Sequence, residues 1–206
     1  VTTYPKKIDE VIETISFNQL DTTIQFDVIL IAIKPQQINE VLPLYLNKIK
    51  PAGLIISIAA GFKIEKLTKY YPNTAIARSM PNLTARISES ITSINCNKHS
   101  KKDHKSTLEE LFTLVGEIIW TDNEDDIDKL TAIAGSGPGF MFHIFEAYIS
   151  AVENLGIDYQ QAKDIVLSLS ISSAKLALQT SDTAAELRKA VTSKNGTTEA
   201  GLKKLM

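Results

Sequence analysis

The stretch FDVILIAIKP, residues 26–35, decides the fold because it is a short, uninterrupted apolar run rich in β-branched residues. Such a run predicts a strand buried on both faces, as in a parallel sheet. Four further stretches have strand character: LIISIAAG at 54–61, TAIARSMPN at 74–82, ITSINC at 91–96 and EIIW at 117–120. Helical patterns separate most of these strands. The alternation predicts right-handed βαβ units and an α/β, doubly wound parallel sheet.

The character of the sequence changes after about residue 122. Acidic residues open a helical pattern there, and further helical segments follow at 138–156, 157–180 and 181–191. Ser181 or Asp182 is the expected cap of the last of these helices. The sequence therefore predicts two domains, an α/β domain over residues 1–122 and an all-helical domain over residues 123–206.

Composition restricts the classes of function. The chain has 206 residues, 44% of them hydrophobic, so it can bury a sizeable core. Its net charge of −2 argues against a nucleic-acid partner. Cys96 is the single cysteine, so no internal disulfide can form, and a reducing, cytoplasmic location is expected. No stretch has the apolar length of a membrane span, and no His, Cys, Asp and Glu cluster has the spacing of a metal site.

Three successive predicted strands end in small or special residues. These ends are AIKP at 32–35, SIAAG at 57–61 and SMPN at 79–82. Open parallel sheets bind ligands outside the carboxyl ends of their strands, and small residues there allow a flat ligand to approach the backbone. Ordinary tight turns would explain any one of these ends, but their succession favours a binding site.

The segment GSGPG, 135–139, resembles a phosphate-binding loop but lacks its pattern, because Phe140 follows where glycine is required and a helix precedes it. We interpret it as a tight link between two helices. Thr131 lies on the last turn before this link. Its hydroxyl either points at a ligand or bonds back to its own helix.

The segment NGTTEAG, 195–201, predicts a helix start with Thr197 or Thr198 as its cap and Glu199 in the first turn. Free N–H groups at a helix N-terminus attract anions. Thr192, Ser193 and Thr198 surround this start, so a carboxylate site is favoured over a simple capped turn, which needs only one hydroxyl.

Five segments, in this order and at these separations, resemble pyrroline-5-carboxylate reductase: FDVILIAIKPQQ, SIAAG, MPN, GSGPGFMFHIFEA and ELRKAVTSKNGTTEAGL. The resemblance implies a Rossmann-type domain followed by a helical dimerisation domain. It also implies hydride transfer from NADPH or NADH to the cyclic imine 1-pyrroline-5-carboxylate, which gives L-proline in the last step of proline biosynthesis. A homodimer, or a larger ring of dimers, is the expected assembly, with the active site shared between subunits and no nucleic-acid or membrane partner.

The resemblance also implies roles for individual residues. Thr131 would hydrogen-bond the ring nitrogen, and the substrate carboxylate would lie against Ser193, Gly196, Thr197 and Thr198. The residues expected to line the dinucleotide site are Ala32, Lys34, Pro35, Ala59, Ala60, Gly61 and Asn82, the last near the nicotinamide. A protonated imine is already electrophilic, so orientation matters more than a strong acid or base.

The sequence departs from the family pattern at its ends. No glycine precedes Gly53, so the G-x-G-x-x-G fingerprint is absent, and Val1–Lys7 resembles the family's second strand. We therefore expect the first strand and the C-terminal end to be missing. Asn195 stands where the family often has glycine, and asparagine tolerates the left-handed conformation. Three alternatives remain: a catalytically inactive remnant, a dimerisation module, or a related imine or hydroxy-acid dehydrogenase.

Overall fold

The computed structural model describes residues 19–21 and 23–205, so the strand predicted over Val1–Lys7 lies outside the described residues. Within these residues, five strands form one sheet in sequence order. They are β1 (Phe26–Ile31), β2 (Ile49–Ser57), β3 (Ala75–Met80), β4 (Ser90–Cys96) and β5 (Gly116–Trp120). All five correspond to strands predicted from the apolar runs.

The sheet is parallel except at one pair of strands. β1 with β2, β2 with β3, and β4 with β5 are parallel, whereas β3 and β4 are antiparallel. The prediction of a parallel sheet throughout is wrong at this pair. The connection between the two strands is a 3-10 turn, Leu83–Ile87, followed by Ser88 with φ 60°, which reverses the chain. A parallel crossover needs a dozen or more residues and usually a helix, and this connection has neither.

Helices cover both faces of the sheet, as the doubly wound prediction requires. Ile55 and Ile76 point to one face, where they pack against Ile38 and Leu67. Residues that alternate with them along β2 and β3 point to the other face. Leu54, Ile56, Ala75 and Ala77 pack there with Leu108. The helices on the first face are α1 (Ile38–Val41) and α2 (Ile64–Tyr70), and the helix on the second face is α3 (Lys102–Thr113). Pro43 interrupts the predicted helix after β1, which continues as a 3-10 helix over Leu42–Lys48.

Six helical segments follow β5 in the described part of the chain. They are α4 (Asp125–Leu130), a π-helical turn (Thr131–Gly135), α5 (Gly137–Glu153), α6 (Tyr159–Gln179), α7 (Ala184–Ala190) and α8 (Thr197–Leu205). The chain packs as two compact units, one ending at Pro138 and the other beginning at Gly139. The domain boundary predicted after residue 122 stays a prediction, and α4 packs with the sheet.

The second unit has a small core and large exposed apolar faces. Ile149, Val152, Ala162 and Val166 join α5 to α6. Many other apolar side chains on these two helices are exposed in the single chain. They include Phe140, Phe142, Ile144 and Tyr148 on α5 and Ile165, Leu169, Ile171, Leu176 and Leu178 on α6. Over residues 19–21 and 23–205, no helix has both the length and the apolar character needed to cross a bilayer.

The cap predicted for α7 is corrected by the structure. Thr183, and not Ser181 or Asp182, occupies the N-cap position, where its side chain accepts a hydrogen bond from the Glu186 N–H. The Glu186 carboxylate returns a bond to the Thr183 N–H at 2.8 Å. This reciprocal pair is a capping box, and its T-x-x-E pattern outcompetes the earlier polar residues because it satisfies two backbone donors at once.

Candidate functional site

The carboxyl ends of β1, β2 and β3 meet at one edge of the sheet. Ile31 lies opposite Ser57, and Ser57 lies opposite Arg78. The Ile58 N–H donates to the Ile31 carbonyl at 3.1 Å, which carries the pairing one residue past the end of β2. The three predicted strand-end segments are therefore neighbours, as the sequence predicted from their succession.

The residues predicted to line the dinucleotide site differ in what they offer at this edge. Ala60 and Gly61 are exposed, and a methyl group at Gly61, which has φ +68°, would meet no atom within 4 Å. Ala59 is 3% exposed and packs in the first-face core, so only its backbone can face a ligand. The turn is held by Ser57, whose hydroxyl accepts from the Ala59 N–H at 3.3 Å.

The turn after β1 is open in the same way. Ala32 and Lys34 are exposed, and Pro35 begins a 3-10 turn, Pro35–Gln37, that leads into α1. The fixed φ of proline suits the first position of a helical turn. The edge therefore presents small side chains and an exposed cation, the Lys34 ammonium, around an accessible backbone.

Both polar atoms of the Asn82 side chain form hydrogen bonds within the protein. Its Nδ2 donates to the Ala134 carbonyl at 3.0 Å. Its Oδ1 accepts from the Thr84 hydroxyl at 2.7 Å and from the Ile91 N–H at 3.3 Å. Asn82 thus connects the end of β3 to the start of β4 and to the π-helical turn that carries Thr131.

Thr131 bonds back to its own helix, which was one of the two alternatives from the sequence. Its hydroxyl donates to the Ile127 carbonyl at 2.6 Å. The hydroxyl oxygen still has lone pairs, so the side chain can only accept from a ligand while this bond holds. The π-helical turn begins at Thr131 and is closed by a bond of 3.0 Å from the Ser136 N–H to the Thr131 carbonyl. Such turns occur often at functional sites.

The predicted carboxylate site lies in a tight turn before α8. The Gly196 N–H donates to the Ser193 carbonyl at 3.0 Å, and the Ala200 N–H, the first donor to close an α-helical bond, reaches the Gly196 carbonyl at 3.2 Å. Because α8 begins at Thr197, Gly196 is at the cap position, and the prediction of Thr197 or Thr198 as the cap is wrong. Ser193, Thr197 and Thr198 are all exposed.

Two neighbours of this turn have definite structural roles. Asn195 has φ 58°, which confirms the left-handed conformation expected there, and its N–H donates to the Glu199 carboxylate at 2.6 Å. Thr192 donates its hydroxyl to the Arg188 carbonyl at 2.6 Å. The prediction that Thr192 contributes to the anion site is therefore corrected, because that proton is committed to the last turn of α7.

Sequence reasoning missed an ion cluster beside the strand ends. The side chain of Arg78 in β3 is 1% exposed, and its guanidinium contacts Asp128 Oδ1 at 2.6 Å and Glu124 Oε1 at 3.3 Å. The available signal was an arginine inside the apolar strand TAIARSM together with the acidic run at the start of α4. A buried cation needs paired anions, and this run supplies them.

A second ion pair on α4 is exposed. Lys63 Nζ lies 2.7 Å from Asp125 Oδ1. This hydrogen bond lowers the pKa of Asp125 and raises the pKa of Lys63. No group of three or more His, Cys, Asp or Glu side chains in the described part of the chain is arranged to hold a metal ion.

The strand-end residues fit the nicotinamide half of a dinucleotide. The open turn at Ala60 and Gly61 and the exposed Ala32 leave space for a flat ring against the backbone. The glycine fingerprint that would hold the pyrophosphate is not in this sequence. These observations concern the end of the cofactor that carries the reactive carbon.

Comparison with known proteins connects both units to one family. The family model "Pyrroline-5-carboxylate reductase dimerisation" matches residues 124–206. A pyrroline-5-carboxylate reductase from Pseudomonas aeruginosa is 34% identical over 178 residues, which are 86% of this chain and 65% of that protein. The chain thus spans 65% of the length of the curated relatives it matches.

Solved structures agree with this similarity. The 1-pyrroline-5-carboxylate reductase of Streptococcus pyogenes superimposes with a TM-score of 0.80 at 31% identity, over 87% of this chain and 68% of that one. The pyrroline carboxylate reductase of Plasmodium falciparum, solved with NADP bound, has a TM-score of 0.80 at 28% identity, over 87% of this chain and 68% of that one. The predicted Rossmann-type domain and helical domain are thereby confirmed as the fold class. The chain belongs to the pyrroline-5-carboxylate reductase family.

Proposed function

We propose that this protein reduces 1-pyrroline-5-carboxylate to L-proline with a nicotinamide cofactor. The observation that carries the proposal is the turn before α8. There the exposed hydroxyls of Ser193, Thr197 and Thr198 lie beside the first-turn N–H groups of a helix. Those N–H groups have no acceptor within the helix, and the helix dipole favours an anion. A carboxylate bound there satisfies the free donors without a full positive charge.

Thr131 would select the protonated form of the substrate. Its hydroxyl proton is given to the Ile127 carbonyl, so the oxygen presents lone pairs. An imine nitrogen that carries a proton can donate to that oxygen, whereas an unprotonated imine nitrogen cannot. The bound substrate is then already electrophilic at the C=N carbon. When hydride arrives at this carbon, the C=N electron pair passes to nitrogen and neutralises its charge.

The strand-end residues would position the cofactor. Reduced nicotinamide, when bound, supplies the hydride. Exposed Ala32, Ala60 and Gly61 allow the ring to approach the backbone, and Lys34 provides a nearby positive charge for phosphate or ribose oxygens. Whether NADPH or NADH is used depends on contacts to the adenosine ribose, so both are tested in the assay below.

Self-association would complete the site. α5 and α6 expose more apolar side chains than a soluble monomer usually presents, and the family model matched by this region describes dimerisation. We therefore propose a homodimer, or a larger ring of dimers, that buries these helices. Leu176 is 56% exposed, so Leu176→Glu should shift the protein to monomers in sedimentation. Gln160→Glu, which adds the same charge at a polar position of α6, should not. An unchanged dimer in Leu176→Glu would contradict this assembly.

The activity test compares two threonines in the same local geometry. Thr131 and Thr113 each donate the hydroxyl to the carbonyl of the preceding helical turn at 2.6 Å. Valine at either position removes that bond, so the two variants should lose similar stability. Only Thr131→Val should slow oxidation of NADPH or NADH by the cyclic imine, by roughly ten- to hundred-fold for a lost hydrogen bond to a charged group.

Other outcomes of this assay separate the alternatives. Equal turnover in Thr131→Val and Thr113→Val would show that Thr131 does not contact the substrate. Reduction of a keto acid without activity on the cyclic imine would favour a related dehydrogenase. A stable dimer that binds no dinucleotide would favour a dimerisation module or an inactive remnant. A cytoplasmic location stays a prediction and rests on the single cysteine, Cys96.

A further inference from the structure

The segment that carries Thr131 is held to β3 at both of its ends. Before Thr131, the acidic side chains of Glu124 and Asp128 contact the buried guanidinium of Arg78. After Thr131, the Ala134 carbonyl accepts from the side chain of Asn82. Arg78 and Asn82 belong to one strand and the turn that follows it. The position of Thr131 relative to the strand ends is therefore fixed from both sides.

The contact before Thr131 is the stronger of the two. Asp128 Oδ1 lies 2.6 Å from Arg78 Nη2, a short charge-assisted hydrogen bond. Removing the Arg78 guanidinium would leave the Glu124 and Asp128 carboxylates side by side. Removing one of these carboxylates would leave the other paired with Arg78. Ile127, whose carbonyl holds the Thr131 hydroxyl, is itself fully buried next to this pair.

Glu124 also connects the cluster to the turn after β2. Its Oε1 accepts from the Ile64 N–H at 2.7 Å, so it caps α2 from another element. The predicted dinucleotide turn, Ala59–Gly61, lies just before this helix. One carboxylate thus joins the predicted cofactor turn, the strand β3 and the segment of Thr131.

We propose that Arg78 is a positioning residue, which acts through Asp128 and Glu124 to set the place of Thr131 beside the carboxyl ends of the strands. This inference rests on the proposed function for its catalytic consequence. Arg78 itself touches neither substrate nor cofactor in this scheme. Its contribution is the fixed geometry of the group that meets the imine nitrogen.

The first test does not depend on activity. Hydrogen exchange of the Ser136 amide, which donates to the Thr131 carbonyl at 3.0 Å, reports whether the π-helical turn is held. Asp128→Asn should raise this exchange rate by roughly tenfold or more, because the charge-assisted bond contributes about 1.4 kcal/mol or more and that energy corresponds to a factor of ten. Lys63→Met is the matched control, since it breaks the exposed ion pair of the same helix. Equal exchange in both variants would overturn the proposal.

The second test asks whether Arg78 acts through Thr131. Arg78→Met should lower kcat by about ten- to hundred-fold with little change in the KM of the dinucleotide, as expected for a misplaced contact group. In a Thr131→Val background the same substitution should change kcat by less than about twofold, because coupled residues are not additive. A full effect of Arg78→Met in both backgrounds would mean that Arg78 does not act through Thr131.

Two features keep these tests decisive. If Arg78→Met fails to fold, Asp128→Asn takes its place in the kinetic test. Asp128→Asn should fold because the Asp128 side chain is 47% exposed and Arg78 retains its ion pair with Glu124. If the wild-type protein does not reduce the cyclic imine, the proposed function fails, while the exchange of the Ser136 amide still decides whether Arg78 holds the segment.

Discussion

Replacing Gly196 with alanine should weaken carboxylate binding without unfolding the protein. A methyl group at Gly196 would overlap Ser193 Oγ and lie 3.1 Å from the Ser193 carbonyl oxygen. The hydroxyl of Ser193 is exposed, so it can rotate away at little cost in stability. It would then no longer point at a bound carboxylate.

The size of the effect follows from the contact that is lost. A hydrogen bond to a charged group contributes about 1.5–3 kcal/mol. Since about 1.4 kcal/mol corresponds to tenfold in affinity, Gly196→Ala should weaken the binding of L-proline by roughly ten- to hundred-fold. Alanine is also a poorer helix cap than glycine, which adds a loss of up to about 1 kcal/mol to the free energy of unfolding.

Calorimetric titration with L-proline, in the presence of the oxidised cofactor, measures this loss. Pyrrolidine, which has the ring nitrogen but no carboxylate, is the control ligand and should bind both proteins equally. Gly201→Ala is the control variant, because a methyl group there would have no atom within 4 Å apart from the backbone of its own helix. It should bind proline normally and be more stable by up to about 1 kcal/mol. Wild-type affinity for proline in Gly196→Ala would refute the placement of Ser193 in the carboxylate site.

Two further predictions concern the compact unit that contains the sheet and ends at Pro138. Gly135→Ala would place a methyl group 3.2 Å from Thr131 Cγ2, so it should lower turnover, whereas Gly137→Ala, with nothing within 4 Å, should not; steady-state kinetics of both variants decides this. Burial raises the pKa of Tyr71 to about 12, and its hydroxyl has no hydrogen-bond partner among the described residues. Because the folded-state pKa of Tyr71 is above the ordinary value of about 10, the protein keeps its full stability below about pH 10 and loses stability as the pH rises towards 12. Tyr71→Phe should leave the free energy of unfolding at neutral pH unchanged or higher, and should flatten its decline in urea titrations above pH 10; a steeper decline in the variant would contradict the assignment.

The five strands and the two-part organisation were predictable because they depend on local sequence. Apolar β-branched runs such as FDVILIAI form buried strands wherever they lie in the chain. The turn at Asn195 was predictable for the same kind of reason, since few residues accept a left-handed backbone. The resemblance to one reductase family also came from linear motifs, which the comparisons with known proteins confirm.

Other features depend on partners that are distant in the sequence. The antiparallel pairing of β3 and β4 follows from a connection too short for a crossover, and the sequence pattern of β4 is the same for either direction. The cap of α7 was misplaced because three polar residues stand in a row and only Thr183 has Glu186 at the right distance.

The sequence by itself determined which residue types are available: small residues at strand ends, hydroxyls around Gly196 and a threonine before a helix link. Only the tertiary structure decided how they are used. It commits the Thr131 proton to Ile127, and it brings Arg78 to Asp128 across residues far apart in the chain. The physical reason is that a buried charge or hydroxyl must find a partner, and folding, not sequence distance, determines which partner is within reach.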